Sequence, residues 1–370
     1  MLLDRFRQFA NIRIELAREG PFQAGEIVRC NVHCDVLREI TNGALFVMIN
    51  GVAHSHWNLA TNGKKTKEGI VKIDKNATYS ETMDYINFCH VIWDCKMKGP
   101  LQTGHFAFGI NYRLPEICPQ NFEGLHGWIR YSVSAKFKIP FARTITTKKA
   151  FKVMPLVYGV RDSLHCYPLH VHASKDPGLI FKDGTIRLGV SIPKRNYFAG
   201  DLMSMTVSIT NTTSLTINRI VTSIIQINTY YGLCETGPRV FDPFRFRVAK
   251  KTKIERVVVS TIDYTNVYIA RYCCTDRRYY LNIPISATPT LTNCPVISIK
   301  YILKVSAFVA KWFDRGITIE LPIEIGVVPE RPRVRSIIMG VPAPQFVVPE
   351  RAWRQMEEIA DDYIELGNNF

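Results

Sequence analysis

From residue 27 the chain alternates strictly between apolar and polar positions. Val28, Cys30, Val32, Cys34 and Val36 share one face, and Arg29, Asn31, His33 and Asp35 the other. A period of two sends successive side chains to opposite sides of an extended backbone, so this stretch predicts a half-buried β-strand. Residues 128–139 repeat the pattern, with Ile129, Tyr131, Val133, Ala135, Phe137 and Ile139 inward and Arg130, Ser132, Ser134, Lys136 and Lys138 outward. It returns where Met203, Met205, Val207 and Ile209 alternate with Ser204, Thr206 and Ser208. Over 297–309, Ile297, Ile299, Tyr301, Leu303, Val305, Ala307 and Val309 share one side. One apolar face per strand is what two packed antiparallel sheets require. Asn42-Gly43, Asn50-Gly51, Asn62-Gly63 and Asp183-Gly184 read as turn dipeptides. Helical periodicity is absent until the last twenty residues.

The pattern is also doubled. Phe22-Gln-Ala24-Gly25-Glu26 recurs 175 residues later as Tyr197-Phe-Ala199-Gly200-Asp201, and Ile129-Arg130-Tyr131 recurs 170 residues later as Ile299-Lys300-Tyr301. Two matches at nearly one offset predict a duplicated domain of about 150 residues. Gly25 and Gly200 each precede a strand, where a turn through positive φ costs glycine little. The expected organisation is a first β-sandwich over 8–155, a linker over 156–177 bounded by Pro155 and Pro177, with Pro168, His165, His170 and His172 inside it, a second sandwich over 178–330, and a tail over 331–370. The tail is first proline-rich and then acidic. The Phe122-Glu-Gly-x-His-Gly127 lead-in before Tyr131 has no counterpart before Tyr301, so the halves share a fold without being equivalent.

Composition adds a partner class. In 370 residues, 46% are hydrophobic and 21% charged, ordinary values for a folded chain, but the net charge is +15. That excess points to an acidic partner: a membrane surface, a phosphorylated peptide or nucleic acid. Nucleic acid fits worst, because no recognition helix and no RNP-type aromatic pattern is visible. Charges at Asp4, Arg5 and Arg7 interrupt any secretory apolar region, and no apolar run approaches the roughly 20 residues of a membrane-spanning helix. The expectation is a cytoplasmic protein whose ten cysteines stay reduced.

Catalytic motifs are missing: no GxSxG, HExxH, GxxxxGK or GxGxxG occurs. His54-Ser-His56 and His170-Val-His172 would share a strand face but lack an acidic or thiol neighbour in sequence, so exposed loop histidines are expected. Cys273-Cys274 read as buried small hydrophobes, and Cys30 and Cys34 as core. The expectation is a non-enzyme with no cofactor and no metal. The basic clusters are Lys64, Lys65 and Lys67 after an Asn-Gly turn, Lys148 and Lys149 (with Lys152) closing the first domain, and Lys250, Lys251 and Lys253 in the second. These are the candidates for binding acidic lipid or phosphorylated tails, each lysine near anionic lipid contributing about 1 kcal/mol. In the tail, Trp353, Met356, Ile359, Ala360 and Tyr363 recur at helical spacing beside acidic residues, and Tyr363-Ile-Glu-Leu366 fits the YxxΦ sorting pattern.

The residues then resemble a known family, the arrestin-domain-containing proteins or α-arrestins. Phe22-x-Ala24-Gly25-Glu26 looks like the family's strand entry, and Gly51-Val-Ala53-His-Ser-His-Trp57 its Gly-x-Ala-x-x-x-Trp segment. Gly104, Phe108, Leu114-Pro115 and Phe122-Glu123-Gly124-x-His126-Gly127-x-Ile129-Arg130-Tyr131 match its most specific stretch. Tyr197-x-Ala199-Gly200-Asp201 with Asn211, and Leu321-Pro322-Ile323-x-Ile325-Gly326, resemble the opening and closing strands of its second domain. The resemblance implies an all-β fold of two tandem immunoglobulin-like arrestin β-sandwich domains with an extended C-terminal tail. It implies a cytosolic adaptor that binds cytosolic tails of membrane receptors or transporters and steers endocytic sorting, peripheral at plasma membrane or endosome. The alternative of the same fold resembles the retromer's arrestin-like subunit, a structural coat component. Family members recruit HECT-type ubiquitin ligases through PPxY motifs that WW domains read; this chain has none, the nearest segment being Pro342-Ala-Pro344-Gln-Phe346. Ligase recruitment is therefore not carried over.

Overall fold

The computed structural model describes residues 9–59, 77–155, 167–176, 184–235, 250–309 and 316–326, and the backbone alone of the short pairs 65–66, 69–70, 241–242 and 247–248. The first half contains β1 (Ala10–Leu16), β2 (Phe22–Gln23), β3 (Ile27–Val36), β4 (Ala44–Leu59), β5 (Lys65–Thr66), β6 (Gly69–Ile70) and β7 (Ala77–Asp94). One helical turn, α1 (Cys95–Lys98), is capped by the Asp94 side chain, which accepts from the Lys96 N–H. Then come β8 (Gly104–Arg113), β9 (Phe122–Gly124), β10 (Gly127–Lys138), β11 (Ile145–Phe151) and β12 (Val153–Met154). The second half runs β13 (Leu169–Lys175), β14 (Ile186–Ile192), β15 (Asn196–Phe198), β16 (Leu202–Asn211), β17 (Ile217–Cys234), β18 (Phe241–Asp242) and β19 (Arg247–Val248). It closes with β20 (Lys251–Tyr264), β21 (Cys273–Asn282), β22 (Ile297–Val309) and β23 (Ile317–Gly326).

Each half is a pair of sheets enclosing one apolar layer. In the first, β1-β3-β8 faces β11-β10-β4-β7; in the second, β13-β14-β16-β21 faces β17, β22, β23 and β15, with β20 on the free side of β17. The expected alternation holds on β3, where Val28, Cys30, Val32, Cys34 and Val36 are all buried, and on β16 with Met203, Met205, Val207 and Ile209. The long sheets of the two halves join through Leu233↔Ser80 and Cys234↔Tyr79, where β17 meets β7. A single sheet path therefore runs from β11 to β15.

The sequence repeat turns out to be a repeated clamp. Gly25 and Gly200 have φ of 82° and 93°, the left-handed region that glycine enters without a Cβ clash. The carboxylate that follows closes the turn on itself: Glu26 Oε2 accepts from the Gln23 N–H at 2.9 Å, and Asp201 Oδ2 from the Phe198 N–H at 3.0 Å. Each turn's aromatic strand then pairs parallel to the last strand of its own sandwich, β2 with β12 and β15 with β23. On the other side of that last strand, Asn121 Oδ1 accepts from the Val153 N–H, and Thr290 Oγ1 from the Ile325 N–H. The paired tyrosines complete it. Tyr131 donates to the Pro119 carbonyl at 2.8 Å and Tyr301 to the Thr288 carbonyl at 2.5 Å, each tying the loop before the clamp to the core. A buried phenol without such a partner would carry an uncompensated desolvation cost, so loop and core are held together.

Five local expectations change. Asn50-Gly51 is no turn; it lies mid-way along β4, where Gly51 leaves room for the Tyr131 ring. Ser132 and Ser134 are buried although they sit on the outward face of β10. They are short side chains in an inner strand, flanked in register by Asn50 and Ala150 and by Met48 and Lys148, which shade them. His54 and His56 stand on β4, and His170 and His172 on β13, so none is a loop histidine. Leu169–Lys175, inside the stretch expected to be linker, pairs with β14 as an edge strand of the second sandwich. Of the vicinal cysteines, Cys274 is exposed and Cys273 half-buried, because β21 sets them on opposite faces near its end. Cys30 and Cys34 are core, and burial pushes each thiol up to about 11.

Candidate functional site

The richest polar constellation lies where the two sandwiches meet. β17 is apolar on its inward face at Ile220 and Ile224, but Gln226, Asn228 and Tyr230 occupy the same face further along and are all buried. Buried amides and phenols need partners, and they find them in a chain. Gln226 Nε2 donates to Asn228 Oδ1 at 2.7 Å, Asn228 Nδ2 to Glu255 Oε2 at 3.1 Å, and Tyr230 Oη to the same carboxylate oxygen at 2.6 Å. Glu255 reaches them because β20 pairs with β17, placing it opposite Asn228.

The first sandwich supplies the other wall. The Tyr230 ring packs edge-on against His126 with centroids 5.5 Å apart, and beside Phe122 at 6.5 Å. A Cβ at Gly124 would fall 2.2 Å from Tyr230 Oη, and one at Gly127 would fall 3.1 Å from its ring and 2.6 Å from the His54 carbonyl. Gly124 of the Phe-Glu-Gly-x-His-Gly lead-in is therefore explained by one side chain of the other domain, and Gly127 first by the β4 backbone at His54 and then by the same ring. The Leu125 N–H of the same segment donates to Glu255. Around this centre, Ser55 Oγ donates to the Tyr231 carbonyl at 2.6 Å, Gln120 Nε2 to the Pro289 carbonyl at 2.8 Å, and Ser80 Oγ to Glu235. Trp57 fills the space beside Gly232, where a Cβ would lie 2.7 Å from its ring.

Electrostatics favours an ionised Glu255. Burial by itself raises its pKa, but the hydrogen bonds from Tyr230, Asn228 and the Leu125 N–H outweigh it and hold the carboxyl below its ordinary value of 4.5. Burial, and then Lys253, press His126 below its ordinary value against the opposing pull of Glu255. The sign for stability follows from the glutamate: a depressed carboxylate stabilises fully above its unfolded value and loses that contribution as pH falls through the folded one. Thermal unfolding should thus be insensitive to pH near neutrality, where the Glu255 contribution is fully present, and show an acid limb below about pH 4.5. That limb should be smaller in Glu255→Gln, and an identical acid limb in both proteins would refute the assignment.

The basic residues singled out in the sequence are placed as follows. Lys64 and Lys67 lie outside the described residues, as do Tyr363 and Leu366; Lys65 belongs to the short β5. Lys148 is exposed on edge strand β11, and its neighbour Lys149 reaches Glu19 Oε1 at 3.0 Å. Lys250 and Lys251 gather at the junction, Lys250 within 3.1 Å of Glu81 and Lys251 over the Tyr79 ring at 5.5 Å. Lys253 faces Tyr230 in the β17–β20 register. From this basic end, β20 continues for 14 residues with no strand on its far edge among the described residues. It exposes Ile254 and Val258 at 58% and 59%. Among the described residues no three His, Cys, Asp or Glu side chains converge as metal ligands, and no helix is long and apolar enough to cross a membrane.

Sequence reasoning passed over Tyr230, Glu255, Gln226 and Asn228. The available signal was two amides, at 226 and 228, on the parity of an otherwise apolar strand face, which marks polar groups entering a core.

Comparison with known proteins places both halves. Residues 10–158 match the family model "Arrestin (or S-antigen), N-terminal domain", and residues 182–330 match "Arrestin (or S-antigen), C-terminal domain". Arrestin domain-containing protein 17 of Caenorhabditis elegans is 23% identical over 342 residues, covering 89% of this chain and 71% of that protein. Arrestin domain-containing protein 4 of Mus musculus is 23% identical over 319 residues, covering 84% and 70%. Arrestin domain-containing protein 15 of Caenorhabditis elegans is 22% identical over 274 residues, covering 70% and 66%.

Proposed function

Since the chain belongs to the arrestin family, as an arrestin-domain-containing protein, we propose that it is a non-catalytic cytoplasmic adaptor. It binds extended cytosolic tails of membrane receptors or transporters and directs their endocytic sorting, working at the inner face of the plasma membrane or on endosomes. The observation that supports this best is the open edge of β20. An unpaired edge presents a row of backbone donors and acceptors that an extended peptide can complete as an added strand. The exposed Ile254 and Val258 give such a peptide apolar contacts, and Lys250, Lys251 and Lys253 at the start of the strand favour acidic or phosphorylated sequence. Lys148 and Lys149 on β11, with Lys64, Lys65 and Lys67, supply further positive charge toward an anionic membrane.

Proximity labelling in cells tests the reading. The intact chain is expected to label a set of membrane proteins that is largely lost in an Ile254→Glu, Val258→Glu variant, which removes the apolar contacts and repels an acidic tail. If the labelled set is the same for the intact chain and the Glu variant, β20 is not the cargo edge. If it contains no membrane proteins in either, the adaptor function fails.

A further inference from the structure

At the end of the first sandwich farthest from the junction, three loops remote in sequence stand side by side. They are residues 37–43 between β3 and β4, residues 94–103 around α1, and residues 139–144 between β10 and β11. Strand register brings them together: Ala44 at the start of β4 pairs with Asp94 at the end of β7 and with Lys138 at the end of β10. Hydrogen bonds then tie loop to loop. The Cys95 N–H donates to the Gly43 carbonyl at 3.1 Å and its thiol to the Thr41 carbonyl at 2.8 Å, while Ile40 and Leu101 exchange backbone bonds of 2.9 and 3.0 Å. A Cβ at Gly43 would lie 2.6 Å from the Lys138 carbonyl. Ser55, which reaches the second sandwich, is 11 residues beyond Ala44 on β4, about 36 Å away.

Each loop puts one large apolar side chain into water. Leu37 is 49% exposed, Met97 85% and Phe141 87%. Phe141 is held there against its own backbone preference. Ile139-Pro140-Phe141-Ala142 is a turn closed by the Ala142 N–H on the Ile139 carbonyl at 3.2 Å, and Phe141 takes its third position with φ of 60°. Glycine or asparagine is the ordinary choice at such a position, and a bulky residue there is strained. Packing within the chain does not offset the strain, because the ring is exposed; strain kept in this way marks a functional position. The same three loops carry Arg38, Lys96, Lys98 and Arg143, all exposed, against two carboxylates. Both carboxylates are engaged locally, Asp94 as the cap of α1 and Glu39 as acceptor from Gln102 Nε2 at 2.6 Å. Lys98 donates to the Ile92 carbonyl at 2.7 Å.

We propose that this end of the first sandwich docks on the surface of an anionic lipid bilayer. Phe141, Met97 and Leu37 enter the headgroup layer, and Arg38, Lys96 and Arg143 face the lipid phosphates. Apolar side chains at loop tips beside cations match an interface that is negatively charged above and apolar beneath. An aromatic ring suits that depth. Exposed apolar groups rimmed by charge mark either a protein or a membrane contact; three tips on separate loops suit a soft surface better than a peptide or a strand, which needs a continuous groove or edge. The proposal rests on the reading of this chain as a protein that works at membranes. It uses residues separate from β20, so that edge stays free for a cargo tail.

Vesicle flotation of the full-length chain tests this. The wild-type chain is expected to float with vesicles of phosphatidylcholine and phosphatidylserine and to stay behind with phosphatidylcholine alone. Met97→Ser, Phe141→Ser should bind the anionic vesicles about 10- to 100-fold more weakly, the loss expected for withdrawing one to two buried apolar side chains. Both positions are exposed, so its thermal unfolding should match the wild type. Ile254→Ser, Val258→Ser, the same chemical change on β20, should float as the wild type does. Equal flotation of wild type and the Met97, Phe141 variant would overturn the proposal, and so would a wild type that ignores phosphatidylserine; the tips would then seat a protein partner. Because the vesicles hold no protein, such a failure leaves the cargo reading of β20 to its own labelling test. Phe141→Trp gives a second readout: its added fluorescence should be quenched by lipids brominated in the upper acyl chain, and no added quenching would mean that the tip does not insert.

Discussion

Gly51→Ala should destabilise the protein by about 3 kcal/mol, a large effect for one methyl group. Gly51 sits in an ordinary strand conformation, and by backbone preference alone alanine there would be slightly better than glycine. The cost comes from Tyr131 on the neighbouring strand. A Cβ at Gly51 would lie 2.5 and 2.6 Å from two carbons of its ring and 3.1 Å from Ile86. The ring has nowhere to go. Tyr131 is 1% exposed, and its hydroxyl is held by the Pro119 carbonyl, so relief would mean breaking a buried hydrogen bond. Chemical denaturation of Gly51→Ala, Tyr131→Ala and the double variant makes the test. Tyr131→Ala alone should cost about 3–5 kcal/mol, and in its background the Gly51 substitution should cost almost nothing. If the two losses simply add, the clash is not the mechanism.

Tyr230→Ala should cost about 4 kcal/mol, near the middle of the range for deleting a fully buried aromatic ring. It empties the seat formed by Phe122, Gly124, His126 and Gly127, and it removes one of the donors that keep Glu255 ionised in a half-buried position. Because the ring is where the second sandwich enters the first, the loss should fall on their coupling. Scanning calorimetry is expected to show two resolved transitions where the wild type shows one. Tyr230→Phe keeps the packing and loses only the hydrogen bond to a charged acceptor, so it should cost about 1.5–3 kcal/mol and leave a single transition. A single transition in Tyr230→Ala would show that the β7–β17 pairing couples the halves without this ring.

Much of the fold was legible because β-structure writes its burial into parity. The alternation at 27–36 and 203–209 specified which face each strand buries, and the repeated aromatic-x-x-Gly-acid entry marked the equivalent turn in each sandwich. Parity failed where the environment on the second face mattered. Ser132 and Ser134 read as exposed, but neighbouring strands cover them. Asn50-Gly51 read as a turn because local composition cannot report that a tyrosine 80 residues away needs the glycine's empty space. The family resemblance rested on the Phe122–Tyr131 stretch, yet the reason for Gly124 was invisible until Tyr230 was in place, and that for Gly127 until β4 was paired beside it. The lysines at 250, 251 and 253 were visible as charge; that two of them engage Glu81 and the Tyr79 ring was not.

By itself, then, the sequence determined an all-β chain of two related sandwiches, their turns and their inward faces, since these depend on periods of two and on residues within a few positions of one another. Tertiary structure alone decided the junction and the loop cluster at the far end of the first sandwich. Tyr230 meets Gly124, and Leu37, Met97 and Phe141 share one end, only after strands distant in the chain pair in one register. A shift of that register by a single residue would send Tyr230 to the opposite face of its sheet.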